Sequence, residues 1–219
     1  MNRLLSSALL SAALAVPAAA APELAQVHVL AIRPTQIAVG MIEVQTRADH
    51  LRSMGDHELK KYLNDRPIPV VAGPGGELYM VDHHHLARAA WEAGIHKVPI
   101  EQKADYSHMT PEQFWAKMHA DSLVYPYDQY GAGPHPVGTL PSDVRGLADD
   151  PYRSLAWRVR DQKGYDKTDK PFAEFKWAEF FRKNLPLPNM NDHFDQAVEQ
   201  ALELARTPAA ASLPGYKPK

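Results

Sequence analysis

The chain of 219 residues contains no cysteine. That absence excludes a disulfide framework, a thiolate metal site and any thiol mechanism together. A basic excess is also missing. Lys and Arg number 24 against 26 Asp and Glu, for a formal charge of −2, so no global positive field concentrates nucleic acid. Beyond the N-terminus there is no run approaching the roughly 20 apolar residues that a membrane-spanning helix needs. Internal repeats are absent, and compositional bias is confined to the two ends.

The N-terminus has the form of an export signal. Arg3 precedes an apolar stretch over residues 4–16, and the small residues Ala18 and Ala20 complete the A-x-A pattern, predicting cleavage near Ala20 or Ala21. The stretch is about 13 residues, too short to span a bilayer. The expected mature protein is therefore periplasmic or secreted, with no membrane span after signal cleavage. Loss of residues 1–21 removes one basic residue and no acidic one, which makes the formal charge −3. What remains suffices for a sizeable core.

Residues 27–32 alternate as a strand, ended by Pro34. Residues 41–54 have helical spacing, and Asp56 is placed to cap a second helix through Leu63. Residues 69–72 and 78–81 flank Gly73-Pro74-Gly75-Gly76 and read as a β-hairpin. Asp82 is then the expected N-cap of a helix ending at Gly94, so the triple histidine falls in its first turn. Residues 98–102 return as a strand, compatible with a parallel or mixed sheet. Thr110-Pro111-Glu112-Gln113 is a capping box with N1 proline. Residues 126–151 read as a long surface loop, followed by helices over 154–160, 172–183 and 192–206. The Pro- and Ala-rich last dozen residues are expected to be disordered.

A strand-to-helix junction favours an anion, through free backbone N–H groups and the helix dipole. On a helix His84 and Arg88 share a face, while His83 aligns with Leu86 and Ala90. His84 with Arg88 is thus the expected phosphate-facing pair, with His83 half buried. A metal site of adjacent histidines is disfavoured by ligand geometry. A structural cluster, its rings bonded to backbone, is the other reading.

The string Asp82-His83-His84-His85-Leu86-Ala87-Arg88-Ala89-Ala90, with the Gly94 turn and Val98-Pro99-Ile100, resembles the D-G-H-H-R-x-x-A motif and following strand of the ParB/sulfiredoxin superfamily. Ile68-Pro69-Val70-Val71 resembles the strand before that motif, and Pro34 to Gly40 with Glu43, Val44 and Arg47 resembles the first conserved box. Residues 149–157 and 171–178 look like the signature of an exported, ParB-like nuclease branch. The resemblance implies an α/β (α+β) fold: a small mixed sheet over residues 22–105, a mainly helical extension over 106–207 packed on it, and a tail over 208–219. It also implies a phosphate or nucleotide site at the strand-to-helix junction.

The superfamily includes partition proteins, sulfiredoxins, free serine kinases and nucleases, and fold alone does not choose among them. Sulfiredoxin chemistry needs the missing cysteine. Partition proteins act in the cytoplasm with a separate DNA-binding domain, which does not suit an acidic, exported chain. The kinases share the double histidine and an upstream glutamate, for which Glu43 is the positional match, but ATP is scarce outside the cytoplasm. Where the motif has glycine and arginine this chain has His83 and Leu86, leaving Arg88 to take the arginine's part.

The expected activity is a metal-assisted nuclease or phosphodiesterase. Glu43, His84 or His85 would be acid or base, with His83, His84, Arg88 and Arg47 on the phosphate and Asp82 on a divalent Mg or Mn ion. The expected partner is a phosphate-containing ligand or nucleic acid. Alternatives are a non-catalytic periplasmic nucleotide- or anion-binding module and a serine-kinase-like phosphotransferase. Asp149 and Asp150 could supply paired carboxylates to a metal but have the commoner pattern of a helix cap before Pro151, and Phe172, Phe175, Trp177, Phe180 and Phe181 have the spacing of core rather than of a nucleobase platform.

Overall fold

The computed structural model describes residues 24–185 and 190–218; the expected export signal of residues 1–21 lies outside the described residues. The fold is mixed α/β. Strands β1 (Gln26–His28), β2 (Ile32–Pro34), β4 (Ile68–Ala72), β5 (Leu78–Met80) and β6 (Lys97–Asp105) form a five-stranded sheet in the order β1-β6-β4-β5-β2. β4 runs parallel to β6 and antiparallel to β5, while β2 lies parallel to β5. Two short strands, β3 (Ala38–Val39) and β7 (Ala148–Asp149), pair in parallel apart from this sheet.

Every residue of the central strand β4 is buried, because both faces of the sheet are covered. Val70 points into the core under α1 (Met41–Ser53) and α3 (His84–Glu92), with Val44, Ala48, Leu51, Ala87 and Ala90. Its neighbour Val71 points the other way, to Phe114 and Met118 of α4 (Pro111–Ala120). The capping box of α4 forms as its sequence requires, with Thr110 accepting from the Gln113 amide and Gln113 from that of Thr110. A third core, Leu155, Val159, Trp177, Phe181, Val198 and Ala201, joins α5 (Pro151–Asp161), α6 (Ala173–Asn184) and α7 (Phe194–Ala205). Among the described residues no helix is long and apolar enough to cross a membrane.

The structure corrects four expectations. The strand over 27–32 is broken by a 3-10 turn at Val29–Ala31, where His28 Nδ1 accepts from the Leu30 amide and turns the chain between two sheet edges. Asp56 is the first residue of α2 (Asp56–Asn64) and not its cap, which is Gly55. The 126–151 segment carries the 3-10 turn Val144–Gly146 and β7, with Val144 and Leu147 buried against the first core. Residues 208–218 are folded, not disordered. Ala210 is buried, Trp177 Nε1 donates to the Pro214 carbonyl at 2.7 Å, and the Asp166 amide donates to Gly215. Pro and Ala content concealed apolar side chains that close the third core.

Candidate functional site

Three helix N-termini meet around the start of α1. The Gly40 amide donates to His85 Nε2 on α3 at 2.9 Å, the Met41 amide to Asp149 Oδ1, and the Ile42 amide to Ser154 Oγ on α5. Their positive dipole ends are thereby aimed at one region. Gly40 is required for the approach, since a Cβ there would lie 2.4 Å from the Ser154 nitrogen.

The histidine run sits at the β5–α3 junction, where His83 takes the left-handed conformation (φ 62, ψ 24) and precedes the helix without capping it. It occupies the position of the motif's glycine, the residue that adopts this backbone without strain. Each ring binds a backbone group. His83 Nδ1 donates to the Pro67 carbonyl at 2.9 Å, and His84 Nε2 accepts from the Thr35 amide at 3.1 Å. His84 and His85 thus pin both ends of the segment between β2 and α1. Because Nε2 of His84 and of His85 accepts a backbone N–H, each of these two rings is assigned its proton on Nδ1. Burial, then neighbouring positive charge, holds both imidazoles well below their usual pKa, so they are neutral at pH 7.

Glu43, 2% exposed, points inward from the first turn of α1. Its Oε1 accepts from Arg47 Nε at 2.8 Å and pairs with Arg47 Nη2 at 2.7 Å. Its Oε2 lies 3.3 Å from His85 Nε2. The single lone pair of that nitrogen already accepts from the Gly40 amide, so Oε2 touches it without a hydrogen bond. Burial raises the Glu43 pKa against the lowering effects of Arg47, Arg153 and Arg160. Because His85 is neutral, the contact is not an ion pair.

Arg153, buried on α5, completes the cluster. Its guanidinium stacks 3.5 Å from the Phe175 centroid, donates to Gln36 Oε1 at 3.4 Å and lies 3.8 Å from Glu174, which also pairs with Arg160. Among the described residues only two buried side-chain polar atoms have no hydrogen-bond partner, Glu43 Oε2 and Arg153 Nε. Such orphans are rare in folded proteins, and these two belong to one electrostatically connected group.

Of the expected site residues, the fold brings together Glu43, Arg47 and His85, with His84 alongside. Arg88 is turned away: Nη1 donates to the Val144 and Arg145 carbonyls and Nε to Glu92, so the expected His84–Arg88 phosphate pair does not form. Asp82 is exposed, neither caps α3 nor approaches as a ligand, and accepts from the His83 amide at 2.7 Å. No three His, Asp or Glu side chains among the described residues are grouped to hold a metal ion.

Asp150 caps α5 through the Tyr152 amide and pairs with Arg182 at 2.6 Å, as its place before Pro151 suggests. Sequence reasoning missed Gln36, Gly40 and Ser154, and assigned Arg153 only to a nearby acid. The available signal was the 149–157 block itself, which lies in sequence far from Glu43.

The family model described as "Putative ParB-like nuclease" matches residues 25–183. No curated protein matches the chain. The crystal structure of protein Atu1540 from Agrobacterium tumefaciens is similar, with a TM-score of 0.82 and 36% identity, over 90% of this chain and all of that one. The matched span contains the sequence blocks that carry the resemblance and every residue of the Glu43 cluster, and the chain belongs to the ParB-like nuclease family.

Proposed function

We propose that this protein is an exported phosphodiester hydrolase of the nuclease type, with Glu43 as its acid–base group, His85 positioning the start of the Glu43 helix, and Arg47 and Arg153 as its phosphate-binding cations. The observation that carries the reading is the pair of buried, unpartnered atoms, Glu43 Oε2 and Arg153 Nε, beside three converging helix N-termini. Arg47, Arg153 and Arg160 are set against the carboxylates of Glu43 and Glu174, a positive surplus that suits an anion. Arg47, with 31% of its side chain exposed, is the most open of these three arginines to solvent.

In the proposed step a water oxygen bonds to phosphorus and the ester P–O bond breaks. The water's proton passes to the Glu43 carboxylate, which then returns it to the leaving alkoxide. A divalent ion does not fit the donors present. Asp82 stands exposed and bonded to its own turn, and Glu43 is held by Arg47, so no step is assigned to a metal.

The test is hydrolysis of bis-p-nitrophenyl phosphate, single-stranded DNA and RNA by the mature chain. Glu43→Gln and His85→Gln should each lower kcat by about a hundredfold or more. Unchanged turnover in both variants refutes the site. Binding of these ligands without hydrolysis by the unmodified protein supports the anion-binding module instead. Export is tested by finding the processed chain, cleaved near Ala20 or Ala21, outside the cytoplasm.

A further inference from the structure

Beside the Glu43 cluster lies a cleft of about 480 Å³, lined by Gln129, Tyr130, Asp149, Pro151, Tyr152 and Arg182. Its volume is that of a small-ligand site. Asp149 links the two places, since it lines the cleft and accepts from the first amide of α1. Tyr130, on the rim, is 74% exposed, and among the described residues it is the large hydrophobic side chain most open to solvent.

Its loop is built to hold it there. Asp128 Oδ1 accepts from both the Tyr130 and Ala132 amides at 2.9 Å, and Oδ2 meets His135 Nε2 at 3.0 Å. The Asp128 amide donates to Ala132, and the Gly131 amide returns to Asp128. Gly131, at φ +79, lets the turn close on Arg182, where a Cβ would sit 2.7 Å from the guanidinium. The guanidinium is fixed by Asp150 at 2.6 Å and Glu179 at 2.7 Å, and lies 5.0 Å from the Tyr152 ring centroid. An exposed ring gains nothing from such a frame within the folded chain. A backbone fixed in advance beneath the ring does lower the cost of stacking a ligand on it.

We infer that this cleft receives a nucleobase of a single-stranded nucleic acid, stacked against Tyr130, whose phosphodiester lies toward Arg47. The inference rests on the phosphodiester reading and narrows its substrate to unpaired strands. Tyr130, Tyr152 and Pro151 supply apolar walls, while Gln129, Arg182 and Asp149 place donors and acceptors around them, the combination that a planar heteroaromatic base matches. A base paired within a duplex cannot enter without being extruded.

The experiment measures, at one salt concentration, anisotropy of a labelled short oligothymidine strand in the non-hydrolysing Glu43→Gln protein, alone and with Tyr130→Ala, Tyr130→Phe or Tyr130→Trp. Affinity should fall about tenfold with Tyr130→Ala and be retained with Phe or Trp. A strand of the same length lacking bases should bind weakly and equally to all. Equal affinity in Tyr130→Ala, equal binding of the abasic strand, preference for duplex or failure of the strand to bind overturns the inference. Failure of the chemical reading shows separately, as hydrolysis of bis-p-nitrophenyl phosphate undiminished by Glu43→Gln.

Discussion

Replacing His84 and His85 together by Gln should flatten the acid sensitivity of the fold. Both rings accept a backbone N–H at Nε2, from Thr35 and Gly40, and protonation would set two N–H groups against each other at 3.1 and 2.9 Å. The unfolded chain protonates them near the ordinary value of 6.5, while the folded chain resists to well below it. Their contribution to stability is therefore complete above pH 6.5 and is lost as pH falls toward the depressed folded values.

Each histidine contributes a slope of about 1.4 kcal/mol per pH unit in that window. Glu43 acts with the opposite sign. Its folded pKa is raised above 4.5, so its ionisation costs stability as pH rises through that raised value. Where only the folded state protonates Glu43, the net slope is about 1.4 kcal/mol per unit; in Glu43→Gln it should steepen to about 2.7. Urea unfolding at pH 7.5, 6.5 and 5.5 (about one-unit steps across the histidine range), followed by tryptophan fluorescence and extrapolated linearly, reads these slopes. Gln retains an acceptor without a titrating ring. Parallel loss of stability in the unmodified protein and the double variant would show that neither ring is a buried neutral acceptor.

Other substitutions probe the neighbouring contacts. Gly40→Ala forces a Cβ to within 2.4 Å of the Ser154 backbone and should cost about 1–3 kcal/mol by urea titration. Asp150→Ala removes the α5 cap and the partner of Arg182 and should cost about 3 kcal/mol, with Asp150→Asn, which keeps a capping oxygen, costing less. Arg88→Gln should lower stability by about 1–2 kcal/mol through loss of its carbonyl contacts, leaving kcat for the phosphodiester unchanged. Truncation after Thr207 should lower thermal stability by roughly 3 kcal/mol or more, because Ala210, Leu213 and Tyr216 leave the third core.

The elements legible in sequence were those whose signals are local. The Thr110 capping box, the Gly73–Gly76 turn with φ +72 and +77 at its two last glycines, and the Gly94 helix end all formed as their chemistry demands. The break after His28 was not legible, since a ring accepting from an amide two residues on competes with strand pairing and leaves no compositional trace. The same locality divides the site. Glu43 and Arg47, four residues apart on one helix, could be paired from sequence, and the histidine run was correctly placed at a helix start. Helical spacing then put His84 and Arg88 on one face, but tertiary acceptors decided where each side chain went: Thr35 drew His84 inward and the 144–145 carbonyls drew Arg88 outward.

Arg153 shows what a linear reading could not reach. Its sequence neighbours Asp149 and Asp150 explain a helix cap, and they do so correctly. Its charge acts on Glu43, more than a hundred residues earlier, because Gly40 allows α1 to pack directly on Ser154. A glycine whose own φ is ordinary thus positions a buried arginine beside a buried glutamate. The close approach of α1 and α5, and not the triple histidine alone, brings the two unpartnered atoms into one electrostatic group. The histidines fix the geometry from the third helix, and His85 is the one whose ring touches Glu43.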